Sequence, residues 1–339
     1  MSNYAATIAA IVQQTQARED ALPLLNEACR SRFFFKPNPT EKVCLFLHGF
    51  TAGPYQFVPM GEAFFRAGYN VIVPLMPGHG QAGDWNRDNP PPLPTDPQIY
   101  QKFVLQWLQQ AQTLGKQVVV GGLSSGATLA AHLALEHPQQ IYRTLVFAPY
   151  LSSSSKLVDL LVEILPFYFE WLNKDAPGNF GYDGFRIPAL ELFLDMGQEI
   201  LDRAQNSPAA PMFIFSSDSD VVTSKHDHQA LFEAVVKHQP KSWYHCFDKV
   251  LNIGHRMMTK MEDNNYQDLV ITLAKAYVES DLTWAEVIEI GDRILHGKNF
   301  EAAVTELNLN QQVSPDMSVM MTMINKQTII DARKPSKRG

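Results

Sequence analysis

Short apolar runs alternate with helical patterns through the middle of this chain, and this alternation restricts the possible folds more than any other feature. Each run is apolar on both faces and rich in β-branched or aromatic residues, which is typical of strands buried in a parallel sheet. Since helical patterns separate the runs, we predict an α/β fold, with a mostly parallel sheet and helices on both faces. The predicted strands are Val43–Leu47, Val71–Val73, Val118–Val120, Thr144–Phe147, Met212–Phe215 and Trp243–Phe247. The predicted helices are Tyr55–Ala67, Gln98–Leu114, Ala127–Glu136, Ser224–Lys237 and Lys260–Val278.

Three segments lie outside this alternation. We expect residues 1–40 to form an N-terminal helical extension and residues 281–339 a C-terminal helical extension. Residues 151–208 contain helical stretches without a convincing strand. An insertion at this point lies above the carboxyl ends of the strands, so we interpret it as a helical cap. The α/β core then consists of residues 41–150 and 209–280.

The C-terminal extension carries apolar residues at helical spacing from Trp284 to Leu295, and a second short helix is predicted over Phe300–Leu307. A single helical pair cannot bury its own apolar face, so it must pack on something. Two interpretations remain open. The helices pack on the α/β body of the same chain, or they form an arm that joins copies of the chain into a homo-oligomer.

The overall composition excludes several classes of protein. The formal net charge is −7, whereas a nucleic-acid-binding domain usually carries a basic face. The cysteines, Cys29, Cys44 and Cys246, are odd in number and fit no zinc motif, so we expect reduced thiols. No apolar run is long enough for an integral membrane segment, and the N-terminus lacks the features of a secretory signal. We therefore expect a cytoplasmic protein without a metal or organic cofactor.

The sequence Gly122-Leu123-Ser124-Ser125-Gly126 follows a predicted strand and opens a predicted helix. In a nucleophile elbow, a serine occupies a strained strand-to-helix turn that raises its hydroxyl above the sheet. The residues two before and two after the serine must be small, because strand and helix come close there. Gly122 and Gly126 flank Ser124 in this way, whereas Ser125 would have Leu123 and Ala127 at those positions. We predict that Ser124 is a nucleophile.

A serine hydroxyl is a weak nucleophile and needs a positioned base. His255 lies between the last predicted strand of the sheet and the last helix of the core. This loop is at the carboxyl end of the sheet, where open α/β folds bind ligands. Other histidines fall within predicted strands or helices or near their ends: His132, His137, His226, His228 and His245. We therefore predict that His255 is the general base.

An acid is also needed to fix the tautomer of the histidine and to stabilise its charged form. Asp218 and Asp220 both follow the strand Met212–Phe215 and lie between the serine and the histidine in the sequence. Because the two carboxyl groups share one short loop, proximity alone does not choose between them.

An oxyanion hole requires preorganised N–H donors aimed at the developing charge. The amide of Ser125, directly after the predicted nucleophile, is one candidate. The other is the amide of Phe50, in the loop after Val43–Leu47, where Gly49 lets the backbone approach a substrate. We interpret His48 in the same loop as an orienting residue without a role in proton transfer.

These stretches resemble the α/β-hydrolase superfamily, within it the carboxylesterases, monoacylglycerol-lipase-like enzymes and serine-aminopeptidase-like hydrolases. The resemblance rests on LHGFTAGP at 47–54, PLMPGHG at 74–80, GGLSSG at 121–126, SSDSDVV at 216–222 and GHRMM at 254–258. It implies the α/β-hydrolase fold over residues 40–280 and a catalytic triad in the order Ser, Asp, His. It also implies that the acid comes three residues after a small residue, which selects Asp220 after Ser217. His79 is implied to be structural.

The resemblance implies a serine esterase (EC 3.1.1) that cleaves short or medium acyl esters or monoacylglycerols through an acyl-enzyme. A thioesterase or a peptidase would use the same triad, and a non-catalytic binding module with this fold is the alternative from another class. The expected partner is a small-molecule ester. Apolar side chains of the cap could line an acyl pocket or pack on the body: Leu160, Leu161, Ile164, Leu165, Phe167, Tyr168, Phe169 and Trp171.

Overall fold

A seven-stranded sheet forms the centre of the protein, for which the computed structural model describes residues 2–153, 168–171 and 178–323. In chain order, the strands are β1 (Arg32–Phe34), β2 (Lys42–Leu47), β3 (Asn70–Val73), β4 (Gln117–Leu123), β5 (Arg143–Phe147), β6 (Tyr168–Glu170), β7 (Gly184–Arg186), β8 (Met212–Ser217) and β9 (Trp243–Phe247). The order in the large sheet is β1-β3-β2-β4-β5-β8-β9, and every neighbouring pair is parallel except β1 with β3. The predicted, mostly parallel sheet is confirmed.

Helices cover both faces of this sheet. They are α1 (Ser2–Asp20), α2 (Val58–Arg66), α3 (Pro97–Leu114), α4 (Ser125–Glu136), α5 (Pro188–Ala204), α6 (Lys225–His238), α7 (Gln267–Val278), α8 (Trp284–Leu295), α9 (Phe300–Glu306) and α10 (Met317–Met323). Alternate strand residues point to opposite faces, so Val43 and Leu45 meet the core under α3 and α4, while Cys44 and Phe46 meet the core under α2 and α7. Strands buried on both sides explain the continuous apolar runs of the sequence.

Strand β1 was not expected within the N-terminal extension. Its three residues pair antiparallel with β3 at the edge of the sheet, and the segment also contains the expected helix α1. The Phe33 ring lies 6.1 Å from Trp107 on one face, and the Phe34 ring lies 6.3 Å from Phe65 on the other. A run this short has no recognisable period, so its strand conformation depends on pairing with β3.

The helix expected over Lys260–Val278 is divided in two. A 3₁₀ turn covers Lys260–Glu262, and α7 begins only at Gln267. The Thr259 hydroxyl accepts the Glu262 amide at the start of the turn, and Asp263 adopts a left-handed conformation with φ of 67° at its end. This interruption leaves Glu262 inside the protein, next to the loop that carries His255.

The segment between β5 and β8 is not purely helical, so our expectation that it contains no strand is wrong. β6 and β7 form an antiparallel ribbon, and α5 follows β7. Each ribbon strand is only three residues long, which leaves no alternation that a sequence pattern could reveal. Of the apolar residues expected to line or pack the cap, Tyr168, Phe169 and Trp171 belong to the described part of the chain, whereas Leu160, Leu161, Ile164, Leu165 and Phe167 lie outside it.

The C-terminal helices pack on the body of the same chain. Val287 and Ile290 of α8 and Val304 of α9 are buried in the core that also contains α2 and α7. A capping box between Thr283 and Glu286 fixes the start of α8. Packing on the body accounts for the apolar faces of α8 and α9, while the homo-oligomer stays a prediction.

Among the residues with a described position, no helix combines the length and the apolar character that a membrane crossing requires. The expected cytoplasmic location stays a prediction.

If α8 is part of the core, truncating its buried side chain must destabilise the whole protein. Ile290→Ala is expected to lower the free energy of unfolding by about 2–5 kcal/mol, because it leaves a cavity at a fully buried position. Urea denaturation followed by circular dichroism measures this loss. Leu295→Ala, at the 36% exposed end of the same helix, is the matched control and should cost much less. Equal small losses would show that α8 contributes little to the core.

Candidate active site

The turn between β4 and α4 places Ser124 in a conformation that non-glycine residues rarely adopt, with φ of 56° and ψ of −118°. The two flanking glycines make this turn possible. A methyl group at Gly122 would lie 2.2 Å from the carbonyl group of Gly126, and one at Gly126 would lie 2.2 Å from the carbonyl oxygen of Leu47. The predicted elbow geometry is therefore a consequence of close contact between β4, α4 and the end of β2.

Backbone hydrogen bonds hold Ser124 in this strained turn. Its amide donates to Phe147 at 3.0 Å, and its carbonyl accepts the amide and the hydroxyl of Thr128 at 2.9 and 3.1 Å. Ser124 keeps 8% of its surface exposed, whereas Ser125 is fully buried and its hydroxyl has no hydrogen-bond partner among the described residues. The glycine spacing that favours Ser124 over Ser125 as nucleophile agrees with this difference in solvent exposure.

Asp220 and His255 form a hydrogen-bonded pair at the carboxyl ends of β8 and β9. The distance from His255 Nδ1 to Asp220 Oδ2 is 2.8 Å. Because an ionised carboxylate only accepts, Nδ1 carries the hydrogen and Nε2 remains available to take a proton. Asp220 also accepts the Val222 amide at 2.7 Å and the Thr223 hydroxyl at 2.7 Å.

The charge of Asp220 is stabilised despite its burial. Desolvation by burial raises the pKa of this carboxyl group, but the opposing effects are larger in sum. The positive charge and the hydrogen bond of His255, together with the bonds from Val222 and Thr223, hold the pKa of Asp220 well below its usual range. A carboxylate held ionised beside the imidazole stabilises the positive charge that the imidazole gains on protonation.

Asp218 has a different environment from Asp220. Its carboxylate forms an ion pair with Lys225 at the protein surface, and its amide donates to the carbonyl of Phe247 at 2.9 Å. Only Asp220 contacts His255. The structure therefore joins the histidine with the aspartate that the resemblance selected.

Ser124, Asp220 and His255 follow β4, β8 and β9, so all three lie at the carboxyl ends of the parallel strands. The hydrogen bonds of the described residues join His255 to Asp220 but do not include one from the Ser124 hydroxyl to His255. Catalytic hydrogen bonds are often long in free enzymes and shorten in the substrate complex.

In the loop after β2, the peptide group between Gly49 and Phe50 carries the Phe50 N–H and the Gly49 carbonyl oxygen. Hydrogen bonds to this oxygen fix the peptide group. The oxygen of this peptide, Gly49 O, accepts His48 Nδ1–H at 2.9 Å and the Ala52 amide at 3.2 Å. The Phe50 amide itself has no acceptor in the part of the chain that the structure describes. Ser125, whose amide is the other candidate donor, begins α4 directly after Ser124. The oxyanion hole formed by these two amides stays a prediction.

His48 uses both ring nitrogens within the protein. Nδ1 donates to Gly49, and Nε2 accepts the Met76 amide at 3.0 Å. Burial and the neighbouring His79 hold the pKa of His48 well below its usual range, so the ring is neutral. Burial likewise lowers the pKa of His79 to about 4, and Pro77 accepts from its ring at 3.0 Å. Both rings support the loops of the site in a neutral state.

Aromatic side chains of the cap cover the Phe50 loop. The rings of Phe185 and Phe193 lie 4.9 and 5.8 Å from the Phe50 ring. Trp171 donates its indole N–H to the Thr51 hydroxyl at 2.9 Å, which anchors the ribbon to the loop. The Phe50 side chain and the Thr51 hydroxyl are therefore covered by aromatic residues of the segment between β5 and β8.

Sequence reasoning missed three residues that support these groups. Thr223 binds Asp220 directly, and Gln56 and Glu262 form a buried pair behind the Phe50 loop. Thr223 lies three residues after Asp220, within reach of its carboxylate, so the sequence could have indicated Thr223 as a hydroxyl donor to Asp220. Glu262 was assigned to a continuous helix, and no local pattern marks it as buried.

No group of three or more histidine, cysteine, aspartate or glutamate side chains within the described ranges could hold a metal ion. His228, near the pair His226 and Asp227, uses its nitrogens for Ser216 and Pro149 at 2.9 and 2.8 Å. The expected absence of a metal and of a cofactor stays a prediction.

Comparison with known proteins identifies the family. A family model described as the alpha/beta hydrolase fold matches residues 42–241, which is more than half of the chain. The chain therefore belongs to the α/β-hydrolase fold family.

One curated relative matches part of the chain. The thermostable monoacylglycerol lipase of Bacillus sp. (strain H-257) is 37% identical over 102 residues, which amount to 28% of this chain and 35% of that lipase. The match thus spans about a third of the length of the relative. The protein is an α/β hydrolase with a monoacylglycerol lipase among its homologues.

Solved structures share the fold at low sequence identity. A structure from a study of two metagenome-derived lipolytic enzymes has a TM-score of 0.61 at 16% identity, covering 74% of this chain and 98% of the other. The monoacylglycerol lipase of Paleococcus ferrophilus has a TM-score of 0.56 at 17% identity, covering 72% and 95%. A soluble variant of the monoglyceride lipase of Saccharomyces cerevisiae, bound to a substrate analogue, has a TM-score of 0.56 at 13% identity, covering 74% and 90%. At such identities, the likeness concerns the fold.

The two aspartates of the β8 loop provide a matched pair of variants. Asp220→Asn is expected to lower kcat by about 10⁴-fold, because an asparagine facing Nδ1 no longer fixes the required tautomer. Asp218→Asn removes a surface ion pair with Lys225 and should leave kcat within about twofold. Steady-state hydrolysis of an activated ester measures both. A collapse of kcat in Asp218→Asn alone would contradict the pairing.

Proposed function

We propose that this protein is a serine hydrolase that cleaves carboxylic esters through an acyl-enzyme, with Ser124, His255 and Asp220 as its catalytic triad. The observation that carries the proposal is the Asp220–His255 hydrogen bond of 2.8 Å at the carboxyl ends of the strands, where Ser124 occupies a strained turn. Strain of this kind is concentrated at functional sites, because ordinary packing has no need of it. The family membership supports the same chemistry.

Acylation begins when Ser124 Oγ attacks the ester carbonyl carbon and His255 Nε2 takes the hydroxyl proton. The electron pair of the carbonyl moves to its oxygen, and the amides of Phe50 and Ser125 stabilise the resulting oxyanion. Asp220 stabilises the charged imidazole. When the tetrahedral intermediate collapses, His255 gives its proton to the leaving alcohol, and the acyl group remains on Ser124.

Deacylation repeats these steps with water. His255 Nε2 takes a proton from the water molecule while its oxygen attacks the acyl carbon, and the same two amides stabilise the second oxyanion. Collapse of this intermediate breaks the bond to Ser124 Oγ, which regains its proton from His255. The carboxylic acid leaves, and the enzyme returns to its starting state.

We propose an acyl ester of short or medium chain length, or a monoacylglycerol, as the substrate. The support is the aromatic cover beside the Phe50 donor, where Phe185 and Phe193 pack against the Phe50 ring. These rings are themselves buried, so they make the surroundings of the proposed oxyanion hole apolar without forming an open surface. Such surroundings favour an uncharged acyl chain over a polar group, because polar groups lose hydration when buried. The similarity to a monoacylglycerol lipase agrees with this chemistry.

The nucleophile can be identified by covalent labelling. A fluorophosphonate should label the wild-type protein at Ser124, and Ser124→Ala should remain folded, resist labelling and lose about 10⁶-fold in kcat. Mass spectrometry of the labelled peptide locates the modified residue. A label on Ser125 would contradict the assignment. A folded wild type that takes no label and hydrolyses no ester would instead support a binding module.

Substrate class can be determined with matched leaving groups. We expect kcat/KM for p-nitrophenyl esters to be highest for short or medium acyl chains, with slower turnover of amides of the same acyl groups. Acyl thioesters and aminoacyl amides test the thioesterase and peptidase alternatives. A preference of more than about tenfold for either, at equal acyl length, would overturn the ester assignment.

A further inference from the structure

A buried chain of hydrogen bonds runs from the Phe50 loop to the segment that follows His255. The Gly49 amide donates to Gln56 Oε1 at 2.8 Å, and Gln56 Nε2 donates to Glu262 Oε1 at 2.8 Å. Gln56 and Glu262 are 3% and 4% exposed. Neither side chain takes part in the proposed proton transfers or in the stabilisation of the oxyanion. Burying a carboxyl group and an amide is costly unless both are hydrogen-bonded, as they are here.

The orientation of the Gln56 amide is determined by its partners. Its oxygen must face Gly49, because a backbone N–H only donates. Its NH₂ group therefore faces Glu262, which must offer an acceptor. The carbonyl oxygen of Gly49 accepts from the His48 ring and from the Ala52 amide. Gly49 is thus held at both its N–H and its C=O, and the Phe50 amide belongs to the peptide that contains Gly49 O.

Glu262 is in turn fixed to the histidine loop. The Glu262 amide donates to the Thr259 hydroxyl at 3.2 Å, and Asn264 donates its side-chain N–H to the carbonyl of Met257 at 2.6 Å. The Met257 amide donates to the carbonyl of His255 at 2.9 Å. The chain of contacts therefore connects the loop that offers an oxyanion donor with the loop that carries the base.

We propose that Gln56 and Glu262 are positioning residues that hold the Phe50 amide in line with the reacting carbonyl group; this inference rests on the proposed serine-hydrolase function. Neither residue touches substrate. Gln56 acts through Gly49, and Glu262 acts through Gln56. Their effect is to keep one oxyanion donor preorganised, so that no loop rearrangement is needed when charge develops.

The acceptor role of Glu262 does not depend on a negative charge. Burial raises the pKa of Glu262 to about 7, while Gln56, Arg256, Thr259 and His255 act in the opposite direction. A protonated carboxyl group still has a carbonyl oxygen that can accept from Gln56. A glutamine at position 262 offers the same oxygen, so it is the conservative variant that should restore the function of the chain of hydrogen bonds.

Four variants and one control test the proposal. Gln56→Ala and Glu262→Ala should each lower kcat and kcat/KM together by about tenfold, with KM changed by less than about twofold, because an oxyanion donor acts in the transition state. Complete loss of such a donor costs about 10²–10³ in kcat, so partial displacement is expected to cost less. The double variant should be no slower than Gln56→Ala, and Glu262→Gln should stay within about threefold of wild type.

A trifluoromethyl ketone provides a second measurement, because its tetrahedral adduct with serine carries an oxyanion. Its inhibition constant should rise by the same factor as kcat falls in each alanine variant. Hydrogen–deuterium exchange of residues 48–54 should accelerate in both alanine variants and remain slow in Glu262→Gln. The control is Asn70→Ala. Asn70 is the first residue of β3, at the amino ends of the parallel strands and away from the site, and its side chain is a buried acceptor of the Lys36 amide at 2.9 Å. This variant should lower stability without changing kcat/KM or exchange in residues 48–54.

The possible outcomes separate this inference from the proposed function. An active wild type whose alanine variants lose stability as Asn70→Ala does, but keep kcat and the inhibition constant, overturns the positioning role alone. An additive double variant, or a Glu262→Gln enzyme as slow as Glu262→Ala, also overturns it. A wild type that neither hydrolyses esters nor reacts with a fluorophosphonate overturns the proposed function, and the oxyanion role of Gln56 and Glu262 falls with it.

Discussion

The close contact between the end of β2, the end of β4 and the start of α4 governs the geometry of the whole site. Gly126 lies against the carbonyl groups of Leu47 and His48, and Gly122 lies against Gly126. Without side chains at these two positions, Ser124 can be held at a positive φ and the loop after β2 begins beside it. One contact between three elements therefore positions both the proposed nucleophile and the peptide that offers the Phe50 amide. The cost of the strained turn is met by the buried sheet around it.

Burial also determines how charge is distributed around this contact. His48, His79 and His228 are buried, and their pKa values are lowered by desolvation, so these rings act as neutral donors and acceptors. Asp220 is buried too, but three groups, His255, Val222 and Thr223, favour its ionised form. The site thus contains neutral imidazoles that fix loops and one carboxylate that faces the imidazole of His255. Histidine thus fixes neighbouring backbone groups at positions 48, 79 and 228 but pairs with a carboxylate at position 255, because the hydrogen-bond partners at these positions differ.

The segment between β5 and β8 adds an aromatic cover over the Phe50 loop. The ribbon β6–β7 contacts the Phe50 loop through Trp171 and Phe185, and α5 contributes Phe193. These contacts involve the same loop that Gln56 and Glu262 support from inside the protein. The Phe50 loop therefore lies between an aromatic cover and a buried polar pair, so a change on either side can reach the Phe50 amide, which is the proposed oxyanion donor.

The sequence by itself determined the parallel sheet and the strand-to-helix turn at Ser124. It also predicted His255 as the base and placed the acid in one short loop. These features depend on local period, on small residues at fixed spacing and on the position of a residue relative to a strand end, all of which can be read along the chain. The aspartate was then selected by resemblance, and the hydrogen bond to His255 agrees with it. Only the tertiary structure decided that Arg32–Phe34 is a strand, that a ribbon covers the Phe50 loop and that Glu262 meets Gln56 across 206 positions of the sequence. Pairing and buried polar contacts of this kind join residues that are distant along the chain, and their energy exists only after the core has brought them together.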